Sequence, residues 1–254
     1  MKVSSPTQET PSVKPRTTPK GSLREFIGIE DDPVHRWVLL GFGLMVAANV
    51  FSYIAGATTL TILEASKFQP WGAITSIGLY DSWESTVALP LLALLWFLLN
   101  TRIIGPERRR RSMLLVIGST YAAVFANITW MLSKSQFEFT RGVSGFEVAV
   151  GGIMFVFALA NLSGLMFRRG SNMFQFRTSD NDSMKVLLAF IYVTLVAILV
   201  LTWRTLTEYS GAMINTEVHV FSLATGVGIA TMYELALGLS RKYSAGPSAK
   251  IVRA

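Results

Sequence analysis

Of the 254 residues 51% are hydrophobic and only 15% charged, and the mean hydropathy is +0.43, a balance that a soluble domain of this length rarely shows. There is no cysteine, which excludes disulfides, thiol catalysis and cysteine-based zinc sites, and two histidines are too few for a His-rich metal site. A formal net charge of +7 would suit nucleic acid, but the positions of the cations explain it at a membrane surface instead.

Residues 1–33 are rich in Ser, Thr, Pro and Lys and hold few large apolar groups, so they read as a flexible tail. They lack the short apolar core and small-residue cleavage site of a signal peptide, so the first apolar helix is expected to remain as an anchor. Asp31-Asp32-Pro33 then suits a helix start just ahead of Trp37.

Six apolar blocks follow, at Trp37–Leu63, Ser85–Ile104, Ser112–Leu132, Gly142–Phe167, Met184–Leu206 and Thr216–Leu239. About 20 apolar residues cross the hydrocarbon core as a helix, which satisfies its own backbone hydrogen bonds. Stretches such as Leu91–Leu99 and Val186–Leu201 are apolar all round, unlike the amphipathic helices of a soluble bundle. The expected architecture is all-α, a polytopic bundle of six transmembrane helices over residues 34–240, with a short tail at 241–254.

Counting cations at the block ends with the side they flank, Lys and Arg number six ahead of Trp37, five where helices two and three join, four where helices four and five join and four in the carboxyl tail. The opposite side receives only Lys67, Lys134, Arg141 and Arg204. The positive-inside rule therefore places both termini in the cytoplasm of a cell-membrane protein, with Arg108 to Arg111 as the strongest topogenic cluster, touching anionic headgroups. Glu234, near the inner end of helix six, is expected to face cytoplasmic headgroups as well.

Helix four opens on Gly142-Val143-Ser144-Gly145. By itself this short motif also fits a serine N-cap with small residues for close packing. Helix six supplies an independent feature, His219 followed on the same face by Ser222, Gly226 and Ala230. An ionisable group inside a membrane is costly, and small residues on that stripe let helix four, with Gly145, Gly151 and Gly152, come close. The topology brings helices four and six in from the outer face, so Ser144 and His219 are expected at similar depth, within reach of water. A serine hydroxyl needs a base to become a nucleophile, and neutral imidazole serves. Amide N–H groups at the start of helix four are placed to stabilise an oxyanion. Glu147, one turn on, either orients His219 or is simply a first-turn carboxylate favoured by the helix dipole.

With these motifs, order and orientation, residues 37–239 resemble the rhomboid family of intramembrane serine proteases. Gly142-Val143-Ser144-Gly145 stands as its nucleophile motif, and His219, Ser222 and Gly226 as its H-x-x-G-x-x-x-G, with Ser in place of the first Gly. The family's second helix begins with H-x-x-x-N, which helps hold the oxyanion; here Ser85 and Leu89 occupy those positions. The resemblance implies a Ser144–His219 dyad supported by Gly142, Gly145 and Ser85, with Ser222 and Gly226 packing the helices. Its substrates would be transmembrane segments of other proteins in the lipid bilayer, cut near the outer leaflet, with no cofactor or metal and no nucleic-acid partner. Two other readings stay open: a rhomboid-like pseudoprotease that binds transmembrane helices, and an unrelated six-helix transporter or scaffold. The mark of the last would be polar groups such as Asn49, Asn127 and Asn161 converging near the midplane, although helix–helix hydrogen bonding also accounts for them.

Overall fold

The computed structural model describes residues 33–56, 63–66, 69–80, 83–100, 106–133, 142, 144–166, 186, 188–196, 200 and 216–244. These residues are almost wholly helical, in five long helices: α1 (Pro33–Ala55), α2 (Trp83–Asn100), α3 (Pro106–Ser133), α4 (Ser144–Met166) and, last in the chain, α6 (Thr216–Ser244). Residues 188–196, here α5, are also helical. Four of them, α1, α3, α4 and α6, are long and apolar enough to cross a membrane, and α2 holds a shorter apolar stretch, Ser85–Asn100. The tails at 1–32 and 245–254 lie outside the described residues, as do the ends of the fifth apolar block.

Helix ends follow local chemistry. Proline opens α1 and α3, where its missing N–H would have no intrahelical partner, and an acidic residue sits in the first turn of α3, α4 and α6 (Glu107, Glu147, Glu217), favoured by the helix dipole. The first helix ends earlier than its apolar block, because Gly56 adopts φ +79° and donates its N–H to the Tyr53 carbonyl at 3.3 Å. At the other end of the chain α6 runs to Ser244, one turn past the expected limit. Pro90 lies inside α2, where it removes one backbone donor, a break that buried helices tolerate when neighbours satisfy the freed group.

The centre of the bundle is α4, with 67% of its apolar window buried, against 44% for α3, 22% for α1 and 17% for α6. It packs against α2, α3 and α6, while α1 covers α2 and α3. A composition of Gly, Ala and Val at the contacts allows this enclosure, since helices in lipid associate through close packing of small residues. The large apolar side chains Leu89, Leu92, Trp96, Leu115, Ile153, Met154 and Phe157 fill the core between α2, α3 and α4.

Between α1 and α2 the chain makes a short helical turn at Gly72–Thr75, followed by a 3₁₀ turn at Ser76–Gly78. This segment is fastened at several points. Thr75 Oγ1 donates to the Leu63 carbonyl at 2.8 Å, the Tyr80 N–H donates to Ser52 Oγ at 2.9 Å, and the rings of Tyr53, Tyr80 and Trp83 form a cluster with centroids 4.8–5.7 Å apart. Gly72 admits no side chain, because a Cβ there would run into the backbone of Glu64.

Candidate active site

Ser144 is the first residue of α4 and His219 lies in the first turn of α6, 75 positions later in the chain. The fold brings His219 Nε2 to 2.6 Å from Ser144 Oγ. His219 is buried at 8% exposure, whereas Ser144 keeps partial access to solvent. For Nε2 to accept the hydroxyl proton the ring proton must sit on Nδ1, the tautomer in which the hydroxyl is the donor. Both residues stand at helix N-termini, so the first-turn amides of α4 face the same region.

Small residues make this approach possible. A Cβ on Gly226 would come within 2.8 Å of the Ala149 carbonyl oxygen and 3.2 Å of its Cα, so α4 and α6 touch backbone to side-chain-free backbone. One on Gly145 would meet Ser222 Oγ and Val218 Cγ1, each at 3.3 Å, and one on Gly152 would meet Leu223 Cδ1 at 2.9 Å. Ser222 and Ala230 are fully buried on the same face of α6. The stripe read from the sequence is therefore the α4–α6 contact, with His219 at its amino-terminal end.

Gly142 takes φ +121°, a conformation that L side chains rarely adopt, and donates its N–H to the Ser76 carbonyl at 3.1 Å. Its neighbours Arg141 and Val143 lie outside the described residues. Glu147 is buried one turn below Ser144. On α2, Ser85 is buried at 8% exposure and Leu89 completely, so Leu89 places an apolar side chain within the core.

The three asparagines do not share one cluster. Asn49 accepts from Thr86 Oγ1 at 3.3 Å, a bond between α1 and α2 of the expected helix–helix kind. Asn127 instead donates to the Ala73 carbonyl and to Ser76 Oγ, both at 3.1 Å, and so holds the segment between α1 and α2. Asn161 Oδ1 accepts from Arg111 Nη1 at 2.7 Å.

Arg111 departs most from the sequence reading. Of the four arginines expected at headgroups, Arg109 and Arg110 are exposed, but Arg111 has no exposed surface. Its guanidinium lies 2.6 Å from Glu234 Oε1, binds Asn161 and sits 5.0 Å from the centroid of the Phe157 ring. Glu107 stands one turn before it and accepts from the Tyr233 hydroxyl at 2.7 Å. Glu234 is thus an internal partner of Arg111, not a headgroup-facing carboxylate. A buried cation needs such partners, because desolvation costs more than an unpaired charge can recover.

Comparison with family models, curated proteins and solved structures finds no match for this chain. The functional reading rests on the residues of the site.

Proposed function

We propose that this protein is an intramembrane serine endopeptidase of the rhomboid kind, a six-span cell-membrane protein with cytoplasmic termini that cleaves transmembrane segments of other proteins near the outer leaflet. The observation that carries the reading is the 2.6 Å approach of His219 Nε2 to Ser144 Oγ between two helix N-termini. That distance suits proton transfer from hydroxyl to imidazole.

In the first half-reaction Ser144 Oγ attacks the scissile carbonyl carbon while His219 Nε2 takes the hydroxyl proton. The tetrahedral oxyanion is held by backbone N–H groups at the start of α4, reinforced by the helix dipole. As the C–N bond breaks, the imidazolium returns its proton to the leaving amine, and an acyl ester remains on Ser144. Water, deprotonated by the same imidazole, then attacks the ester, and collapse releases a carboxylic acid and restores the serine hydroxyl. The partial exposure of Ser144 admits that water.

A fluorophosphonate probe tests the reading directly: wild type should be labelled at Ser144, and labelling should vanish in Ser144→Ala and fall sharply in His219→Ala. Cleavage of a reporter transmembrane segment in liposomes should follow the same pattern. Absence of both labelling and cleavage in folded wild type would instead support a pseudoprotease that binds transmembrane helices, a reading favoured by the apolar Leu89 at the oxyanion position of α2.

A further inference from the structure

We propose that Asn127 is a positioning residue for this reaction: from the carboxyl-terminal end of α3 it holds the turn Ala73–Ser76, whose Ser76 carbonyl in turn fixes the peptide N–H of Gly142, two positions ahead of the nucleophile. This role rests on the proteolytic reading of the Ser144–His219 pair. The relay consists of three hydrogen bonds of 3.1 Å, from Asn127 Nδ2 to the Ala73 carbonyl, from Asn127 Nδ2 to Ser76 Oγ, and from the Gly142 N–H to the Ser76 carbonyl.

Several features make the relay more than a loop anchor. Asn127 is 5% exposed and Ser76 1%, so neither bond competes with bulk water. Ala73 and Ile77 are buried beside them, and the turn has no room to slide because Gly72 abuts the Glu64 backbone. At the receiving end, Gly142 has φ +121°, a conformation open to neighbouring glycine basins unless a partner selects one. The Ser76 carbonyl is that partner.

Position matters here because the oxyanion has no side-chain donor at Leu89 and depends on backbone amides at the start of α4. Gly142 stands two positions before the first residue of α4, on the chain that delivers those amides. Asn127 therefore acts on the transition state through Ser76 and Gly142, without touching substrate.

The test uses full-length protein in liposomes, with Asn127→Ala, Asn127→Asp (same shape, no amide donor) and Ser76→Ala (carbonyl retained, Oγ removed). Hydrogen–deuterium exchange read on the peptide containing Gly142 should accelerate in both Asn127 variants by about tenfold, with peptides from the middle of α6 unchanged. On a cleavable reporter, kcat should fall by about 10- to 100-fold with KM unchanged, and Ser76→Ala should lie between wild type and Asn127→Ala. Loss of thermal stability with wild-type kcat and wild-type exchange at Gly142 would overturn the proposal and leave Asn127 a structural anchor. If Asn127→Ala fails to fold, Ser76→Ala gives the same comparison: unchanged exchange and kcat overturn the relay, and loss of both supports it. A folded wild type without Ser144-dependent cleavage defeats the proteolytic reading itself, and this role with it; that failure is recognised from wild type alone.

Discussion

Arg111 Nη2 and Glu234 Oε1 meet at 2.6 Å, joining α3 to α6 about 22 Å along α6 from His219. The same guanidinium binds Asn161 on α4, so one side chain links the three helices that also pack around the candidate site.

Truncating this arginine leaves Glu234 without its cation in a largely water-excluded setting. Arg111→Met should lower stability by roughly 3–5 kcal/mol, the usual cost of breaking a buried pair from one side. Adding Glu234→Leu should recover much of the loss, since an apolar replacement of both partners removes the desolvation penalty with the attraction. Thermal unfolding in detergent checks both; a single variant as stable as wild type would show that the pair contributes little.

Glycine substitutions should follow the room available. Gly226→Ala drives a methyl against the Ala149 backbone and should separate α4 from α6, abolishing fluorophosphonate labelling of Ser144. Gly145→Ala meets only the ends of Ser222 and Val218 and should retain part of the labelling. Gly228→Ala has nothing within 4 Å and should behave as wild type. An order in which Gly228→Ala is the most damaging would contradict the packing.

An enzyme that lacks one oxyanion donor is expected to be slower by about 10² to 10³. Leu89→Asn, alone or with Ser85→His, should therefore raise single-turnover cleavage of a helical reporter while dependence on Ser144 persists. Because Leu89 is wholly buried, the gain requires the new amide to reach the site, so thermal stability is measured alongside. A stable double variant with a reduced rate would mean that other groups already hold the oxyanion.

The chain has no cysteine, so single cysteines report topology without background. Introduced at Ser135 and Tyr209 they should react with an impermeant thiol reagent from outside, and at Ser171 they should not. The reverse pattern would turn the candidate site to the cytoplasm.

The apolar spans and the serine–histidine pairing were legible because each is written locally: hydropathy marks α1, α3, α4 and α6, and small residues at helical spacing mark the face that carries His219. Three things were hidden. Gly56 ends α1 within an apolar block, and hydropathy does not register a left-handed glycine. Arg111 is one of four consecutive arginines, and charge counting cannot separate them. Helical phase alone turns it inward, and its partners Asn161 and Glu234 stand 50 and 123 positions away. Asn127 reads from the sequence as a helix–helix hydrogen-bonding residue, but its acceptors were hidden because they lie in a turn more than 50 residues earlier.

The enclosure of α4 also divides the molecule by how much change each half of the candidate pair can absorb. Protein buries 67% of the apolar window of α4 but 17% of that of α6. A new side chain on α4 therefore meets packed neighbours at most positions, whereas one on the outward face of α6 displaces little. Ser144 begins the helix least open to substitution and His219 lies on one with a wide permissive face, so a substitution scan of both should find α4 the less tolerant.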